Sequence, residues 1–248
     1  LGKLSENRPV LAIAGTHGKT TTSTLLAHLL HTGKIPVEAF LGGISLGEGS
    51  NLLMAGRGQD RPWMVAEADE YDRSFLTLHP TCAAITSIDA DHLDIYGTHE
   101  QMLQAFGQFS TQVKAGGLLW HVDVVKPLQK AALNTQALTP EIYGELDPKS
   151  TLSDRGWAAG YAEVGPSGSE PTAKAKFMLH LKDHPPMEVL WNMPGPHNAA
   201  NATAAAYLAC RAGMDPAAIP SALAAFPGVA RRFEIKYRSG GKAIIDDY

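Results

Sequence analysis

A short turn near the start of the chain combines two glycines with a lysine and adjacent threonines. It follows the apolar residues 9–14 and leads into a helix-like pattern. Its residues are Gly15, Thr16, His17, Gly18, Lys19, Thr20 and Thr21. Backbone N–H groups at a helix start, beside a lysine ammonium, form a binding site for a polyphosphate. The pattern therefore predicts a phosphate-binding loop for a nucleoside triphosphate, with an ordinary glycine turn as the alternative.

The spacing within this loop differs from the common phosphate-binding pattern, which has four residues between its first glycine and its Gly-Lys pair. Here only two residues separate Gly15 from Gly18. The order Gly-Lys-Thr at a helix start is kept. We therefore expect Lys19 to reach the β- and γ-phosphates and the Thr20 hydroxyl to bind Mg²⁺.

Four carboxylates occur within six residues, directly after the apolar segment 63–66. They belong to Glu67, Asp69, Glu70 and Asp72. Such neighbours repel one another unless solvent or a cation compensates, so the alternatives are a solvated surface run and a metal site. The preceding strand and the phosphate-binding loop favour the metal site. We expect Glu67, which lies nearest the strand, to hold Mg²⁺ directly or through water.

A second polar cluster follows the apolar segment 82–86 and contains Asp89, Asp91, His92 and Asp94. Ligands of a parallel sheet bind beyond the carboxyl ends of its strands, so His92 would lie near the phosphate-binding loop. It is there a candidate second metal ligand or phosphate contact, although Mg²⁺ prefers oxygen. The alternative is that His92 caps a turn or a helix.

Two further polar groups lie near the end of the chain. Asn198 and Asn201 are three residues apart, so they share one face of a starting helix. Their amides could pair with an adenine edge, and the alternative is helix capping. Arg232, in the sequence Arg-Arg-Phe, is a candidate for stabilising the charge of a transferring phosphate. The alternative for Arg232 is an ordinary surface arginine.

The composition is that of an ordinary globular protein, with 44% hydrophobic and 19% charged residues among 248. The net charge of −4 provides no basic surface for nucleic acid. The sequence contains no apolar stretch of membrane-spanning length and no secretory signal, and its two cysteines suggest no disulfide framework. These features favour a cytoplasmic protein. The chain opens on Leu1 and closes directly after the apolar residues 243–245, so we expect a fragment of a longer enzyme.

Alternating apolar periodicities predict an α/β fold, with a mostly parallel, doubly wound sheet and a small antiparallel β region. Predicted strands cover residues 9–14, 36–41, 63–66, 82–86 and 118–120. Predicted helices cover residues 19–32, 99–114 and 196–212, and a further helix begins at Asp215 and Pro216. We expect a glycine-rich loop at 42–61, antiparallel strands at 176–181 and 187–191, and a hairpin at 233–248.

Taken together, the polar motifs resemble those of the Mur ligase family, the ATP-dependent amide ligases of peptidoglycan precursor synthesis. The matching motifs are Gly-Thr-His-Gly-Lys-Thr-Thr at 15–21, Glu-Ala-Asp-Glu at 67–70, Asp-His at 91–92, His-Asn-x-x-Asn at 197–201 and Arg-Arg-Phe at 231–233. The resemblance implies that residues 1–232 are the central ATP-binding domain and that residues 233–248 begin a truncated C-terminal domain. It also implies that an N-terminal UDP-binding domain is absent.

Within the family, the chain is most similar to the branch that joins L-alanine to UDP-N-acetylmuramate through an acyl phosphate, and the supporting residues are 67–72, 74–76, 89–94 and 246–248. The resemblance implies ATP and Mg²⁺ as cofactors, these two small-molecule substrates, and the missing domains of the same enzyme as partners. It implies no nucleic-acid or membrane partner. The alternatives are a ligase of murein tripeptide or folate, and an isolated ATP-binding module without catalysis. We expect the chain alone to be inactive.

The resemblance assigns Lys19 and Thr20 to the phosphates and Mg²⁺, and it assigns Glu67 and His92 to two metal sites. Lys19, Glu67 and His92 would form the catalytic group. Catalysis would then rest on positioning and charge neutralisation, without a protein nucleophile. No lysine lies between His92 and Lys114, so we assign no carbamylated lysine to the metal.

The same resemblance assigns the remaining site residues to ATP. Asn198 and Asn201 would contact adenine, and Arg232 and Asp247 would contact ATP from the inter-domain side. The other loop residues would surround the phosphates. These loop residues are Gly15, Thr16, His17, Gly18 and Thr21.

Overall fold

Ten strands form one sheet at the centre of the part of the chain that the computed structural model describes. That part comprises residues 1–56, 58, 61–91, 93–131, 138–146, 160–164, 175–239 and 242–247. In chain order the strands are β1 (Val10–Ala14), β2 (Val37–Ser45), β3 (Ser50–Leu53), β4 (Trp63–Ala68), β5 (Cys82–Ile85), β6 (Leu118–His121), β7 (Glu141–Leu146), β8 (Gly160–Val164), β9 (Ala175–Leu181) and β10 (Met187–Trp191). Their order across the sheet is β10-β9-β8-β7-β6-β5-β1-β4-β2-β3.

Seven neighbouring strands within the described residues run parallel, from β2 through β4, β1, β5, β6 and β7 to β8. β3 pairs antiparallel with β2 at one edge, and β9 and β10 continue the other edge with antiparallel pairing. A separate hairpin joins β11 (Glu234–Ser239) to β12 (Lys242–Asp246). The mostly parallel sheet, the antiparallel strands at 176–181 and 187–191, and the terminal hairpin are therefore confirmed.

Helices cover both faces of the sheet. They are α1 (Gly2–Ser5), α2 (Lys19–Thr32), α3 (Leu93–Tyr96), α4 (His99–Gln112), α5 (Val122–Ala131), α6 (Pro196–Arg211) and α7 (Ile219–Ala224). On one face α2 and α6 contribute to a core that includes Leu11 and Ile13 of β1. On the other face α4 and α5 contribute to a core that includes Val10 and Ala12. Because side chains alternate along a strand, β1 supplies both cores, as a doubly wound sheet requires.

None of the described helices is long and apolar enough to cross a membrane.

The direction of strand addition reverses at β1. The chain passes from β1 to β2 and β4 on one side, and then crosses to β5, β6 and β7 on the other side. Open α/β sheets bind ligands at such a reversal, beyond the carboxyl ends of the strands. The turn at residues 15–18 leaves β1 at this point, so the fold presents it to a ligand.

The helix predicted at 19–32 is confirmed with the bounds of α2. The loop predicted at 42–61 is wrong in part, because β2 continues to Ser45 and β3 pairs with it. A tertiary contact explains the glycine within β2, since a Cβ on Gly42 would lie 2.3 Å from Oε1 of Glu67. Glycine here provides space for a neighbouring carboxylate and does not end the strand. β7 and α5 have no counterpart among the predicted elements.

Candidate functional site

The turn between β1 and α2 requires glycine at both of its ends. Gly15 has a φ of +134°, and a Cβ there would lie 2.2 Å from Oγ1 of Thr86. Gly18 has a φ of +82° and directly precedes α2. Both φ values lie in the region that side chains disfavour. The backbone of the turn can therefore pass close to its neighbours and direct the first N–H groups of α2 outward.

Residues that follow β5 hold the turn in place. The hydroxyl groups of Thr16 and Ser87 hydrogen-bond at 3.0 Å, and the N–H of His17 donates to Oγ of Ser87 at 2.7 Å. The N–H of Asp89 donates to Oγ1 of Thr16 at 3.0 Å. Sequence reasoning missed Ser87, although its place directly after a predicted strand beside β1 was an available signal. These bonds fix the loop before any ligand binds.

The ammonium of Lys19 is bound to a buried carboxylate. Its Nζ donates to both carboxylate oxygens of Glu70, at 2.9 and 2.7 Å, and to the carbonyl of Gly15 at 2.7 Å. Glu70 is 0% exposed. Burial raises the pKa of the Glu70 carboxyl, and the hydrogen bond and charge of Lys19 oppose that rise. Sequence reasoning placed Glu70 in an acidic cluster and gave it no role.

Thr20 and Glu67 bring two kinds of oxygen donor together. The Thr20 hydroxyl donates to Oε1 of Glu67 at 2.9 Å, and the N–H of Gly42 donates to Oε2 of Glu67 at 2.7 Å. Mg²⁺ prefers oxygen ligands and binds through one or two carboxylates together with phosphate oxygens and water. The two side chains therefore fit a magnesium site next to the loop.

His92, the second expected metal ligand, lies outside the described residues. Within the described ranges, no group of three or more His, Cys, Asp or Glu side chains is arranged to hold a metal ion. The two oxygen donors at Thr20 and Glu67 would therefore need phosphate oxygens and water to complete the coordination of Mg²⁺.

The two asparagines lie at the start of α6, beside the loop. Nδ2 of Asn198 donates to the carbonyl of Pro194 at 2.7 Å, a local bond that does not cap the N–H groups of α6. Asn201 contacts the loop, since a Cβ on Gly18 would lie 2.7 Å from its Oδ1. Both asparagines are buried. Of the two side chains, Asn201 is therefore the one in contact with the phosphate-binding turn.

The segment before β11 is attached to the end of β2. The N–H of Ala230 donates to the carbonyl of Ile44 at 2.9 Å, and Val229 bridges to both Ser45 and Arg232. The N–H of Phe233 then donates to Oδ1 of Asp247 at 3.1 Å, which links the two ends of the hairpin. These contacts bring residues from the end of the chain to the side of the loop.

A cavity of about 730 Å³ joins these groups, within the size range of ligand pockets. The expected site residues that line it are Thr16, His17, Gly18, Lys19, Thr20, Thr21, Glu67, Asn198, Asn201, Arg232 and Asp247. Gly15 is not among its lining residues. The fold therefore brings together residues that are more than 220 positions apart in the sequence, such as Thr16 and Asp247.

A second cavity, of about 480 Å³, lies on the other side of the loop and includes His121 and Glu145. Nε2 of His121 lies 3.0 Å from Oε2 of Glu145. Burial alone would raise the pKa of Glu145, but the hydrogen bond and charge of His121, together with backbone hydrogen bonding and the charge of His197, outweigh it and lower that pKa. Sequence reasoning missed both residues, because nothing local relates the end of β6 to the end of β7.

Comparison with known families adds a decisive observation. A family model described as the Mur ligase middle domain matches residues 13–209. The chain belongs to this family. The match covers most of the Mur ligase chain, and the family resemblance that the five sequence motifs indicated is confirmed.

Three relatives illustrate how this Mur ligase chain compares with known proteins. It is 36% identical to a UDP-N-acetylmuramate–L-alanine ligase of Cytophaga hutchinsonii, covering 100% of the chain and 50% of the relative. Its fold matches the crystal structure of UDP-N-acetylmuramate-alanine ligase from Thermotoga maritima with a TM-score of 0.75, at 28% identity, covering 98% of this chain and 51% of that one. The crystal structure of the UDP-N-acetylmuramate:L-alanyl-gamma-D-glutamyl-meso-diaminopimelate ligase from Neisseria meningitides matches with a TM-score of 0.73, at 29% identity. This match covers 93% of the present chain and 71% of that one. The Mur ligase chain thus spans about half the length of the curated relatives it matches.

Proposed function

We propose that this chain is the ATP-binding domain of a ligase that joins L-alanine to UDP-N-acetylmuramate. The observation that carries the proposal is the cavity that unites the glycine loop, Lys19, Thr20 and Glu67 with the asparagines of α6. Relatives named UDP-N-acetylmuramate–L-alanine ligase are 36, 38 and 39% identical over the whole chain and support the choice of substrates. Peptidoglycan precursor synthesis would be the context of this reaction.

The proposed reaction uses ATP to activate a carboxylate. An oxygen of the substrate carboxylate attacks the γ-phosphorus, the bond to the bridging oxygen breaks, and ADP leaves an acyl phosphate behind. The amine of L-alanine then attacks the acyl carbon, loses a proton, and releases inorganic phosphate. Mg²⁺, when bound, would supply positive charge to the phosphate oxygens.

The side chains of this chain would position the triphosphate and offset its charge. The N–H groups at the start of α2 and the ammonium of Lys19 would bind the phosphates. Thr20 and Glu67 would hold Mg²⁺, and we propose His92 as a further ligand from its place in the Asp-His motif. Oriented donors that act where charge develops account for much of the rate enhancement in such reactions.

The far side of the cavity would receive the nucleoside. We propose that Asn198 and Asn201 contact adenine and that Arg232 and Asp247 contact ATP where the terminal hairpin begins. In this proposal residues 1–232 form the central domain and residues 233–248 begin a further domain. The UDP-binding and remaining domains would belong to the other half of the enzyme.

Calorimetric titration of the chain with ATP and Mg²⁺ tests the nucleotide site. We expect saturable binding that weakens about tenfold or more in Glu67→Gln and in Thr20→Val, since each substitution removes a ligand oxygen or its charge. Asp72→Asn is the matched control, because Asp72 is exposed, lies in the same acidic cluster and does not line the cavity. Equal binding by all four proteins would refute the assigned metal site.

The ligase assignment needs the enzyme that contains both this chain and the other domains. We expect ADP formation to depend on UDP-N-acetylmuramate together with L-alanine, and we expect the isolated chain to form no amide. The likeness to the ligase from Neisseria meningitides makes murein tripeptide the alternative second substrate. A strong preference for the tripeptide over L-alanine would move the proposal to that reaction.

A further inference from the structure

We propose that Glu70 is a positioning residue: it holds the Lys19 ammonium as a nearly neutral ion pair and so makes nucleotide binding depend on the metal ion. This inference rests on the proposed nucleotide site. Glu70 does not line the cavity and would not touch the nucleotide itself.

The contacts of Lys19 leave no unused donor on its ammonium. An ammonium has three N–H donors, and three acceptor atoms lie within 2.9 Å of Nζ: both carboxylate oxygens of Glu70 and the carbonyl of Gly15. The Lys19 side chain is only 12% exposed. A phosphate oxygen can therefore receive a hydrogen bond from Lys19 only if an existing bond is shared or given up.

Two hydrogen bonds to its carbonyl restrain the backbone of Glu70 and so limit how far its carboxylate can follow a moving ammonium. The hydroxyl of Tyr96 donates to the carbonyl of Glu70 at 2.6 Å, and the N–H of Arg73 donates to the same carbonyl at 3.0 Å. The guanidinium of Arg73 lies 4.9 Å from the centre of the Tyr96 ring. If Lys19 withdrew, Glu70 would stay buried and lose the cation that bonds both of its carboxylate oxygens, which is strongly unfavourable. Lys19 must therefore remain with Glu70 while it contacts a phosphate.

This arrangement determines the net charge of the protein around the bound phosphates. The formal charges of Lys19 and Glu70 cancel. A second carboxylate is close by, since Oδ1 of Asp69 lies 3.8 Å from Nζ of Lys19. Among the described residues that line the cavity, Lys19 and Arg232 carry positive charge, and Glu67, Asp69 and Asp247 carry negative charge. The partial positive charge at the start of α2 is worth only about half an elementary charge. A triphosphate without its metal would therefore meet little net positive charge, and the metal supplies what is missing.

The test compares the dissociation constant of ATP in excess Mg²⁺ with that in EDTA, by calorimetry. In Glu70→Gln, which keeps the shape and removes the charge, we expect binding of metal-free ATP to strengthen about tenfold. Binding of the Mg²⁺ complex should change by about threefold or less, because the complex carries less negative charge. The ratio of the dissociation constant in EDTA to that in Mg²⁺ should therefore fall relative to the wild type.

Two matched variants separate charge from shape. Glu70→Asp keeps the charge, and we expect the wild-type ratio within about threefold. Asp69→Asn removes a carboxylate from the same segment that is 61% exposed and farther from Nζ, so solvent should limit its effect on the ratio to about threefold. Equal weakening of both forms of ATP in Glu70→Gln would mean a purely structural role and would overturn the inference.

A second measurement needs no nucleotide. Lys19→Met should lower the melting temperature of the ligand-free chain, and adding Glu70→Gln should restore most of it, because the buried charge of Glu70 is then removed as well. A double variant as unstable as Lys19→Met would overturn the pairing. If the wild type binds ATP under neither condition, the proposed nucleotide site fails and the inference fails with it. If the wild type binds and Glu70→Gln leaves the ratio unchanged, only the inference fails.

Discussion

Replacing Lys19 by methionine should destabilise the ligand-free chain, because it removes the ammonium that bonds both carboxylate oxygens of the buried Glu70. Methionine has nearly the length of lysine, so the change removes the charge and two hydrogen bonds of 2.9 and 2.7 Å to a side chain that is 0% exposed. Breaking a buried pair in this way costs about 3–5 kcal/mol. At about 2–4 °C per kcal/mol for a chain of this size, we expect the melting temperature to fall by about 6–20 °C.

The pH dependence of this loss identifies its cause. Burial raises the pKa of Glu70 above its ordinary value of 4.5, and Lys19 opposes the rise. Without Lys19 the pKa of Glu70 rises further. A carboxyl whose pKa is higher in the folded than in the unfolded protein favours the folded state at low pH, and this contribution is lost as pH rises from the unfolded pKa through the folded pKa. The stability deficit of the variant should therefore be small near pH 4.5 and grow toward neutral pH.

Urea unfolding at pH 5 and pH 8 measures this deficit. The wild type, Lys19→Met and Lys19→Met/Glu70→Gln are compared at each pH, so that contributions from all other titrating groups cancel. We expect the double variant to recover most of the lost free energy and to lose the added pH dependence. An equal deficit of Lys19→Met at both pH values would refute the reasoning, since a cost from lost packing alone does not titrate.

Three further predictions concern other parts of the chain. Gly42→Ala should weaken binding of the ATP–Mg²⁺ complex about tenfold in calorimetry, because its Cβ would displace Glu67 and remove a charge-assisted hydrogen bond. Asp215→Ala should lower the free energy of unfolding by about 1 kcal/mol in urea, because the side chain caps the N–H of Ala217. Cys82 and Cys210 should react slowly with a thiol reagent until the chain unfolds, because burial raises the pKa of both thiols, that of Cys210 to about 11.

Each of these predictions has a control within the chain. Gly49→Ala should leave ATP binding unchanged, since no heavy atom lies within 4 Å of a Cβ there; the φ of +63° at Gly49 makes the change a cost in stability alone. Asp215→Asn keeps a capping oxygen and should keep most of the stability. Fast labelling of both cysteines in the folded chain would contradict the raised pKa of the two thiols. Fewer than two reactive thiols after unfolding would contradict the assignment of Cys82 and Cys210 as free cysteines.

The elements with local signals could be predicted from the amino-acid sequence alone. The apolar run before Gly15, the helix at 19–32, and the Asp-Pro start near residue 215 each follow from neighbours within one or two turns of chain. The glycine loop was recognisable for the same reason, since its chemistry lies in consecutive residues. Five ordered motifs were also enough to identify the family.

Contacts between side chains from distant parts of the chain depend on the tertiary structure. The sequence singled out Glu67 from the acidic run by its place next to the strand, and Glu67 does bond Thr20 beside the cavity. Nothing in the run indicated that Glu70 is buried and bonded to Lys19, which lies 51 positions earlier in the chain. Ser87 beneath the loop and the pair His121–Glu145 depend in the same way on the order of the strands. Periodicity reports which face of a strand or helix is apolar. It does not indicate which strands are neighbours in the sheet, because the packing of the whole sheet determines the strand order.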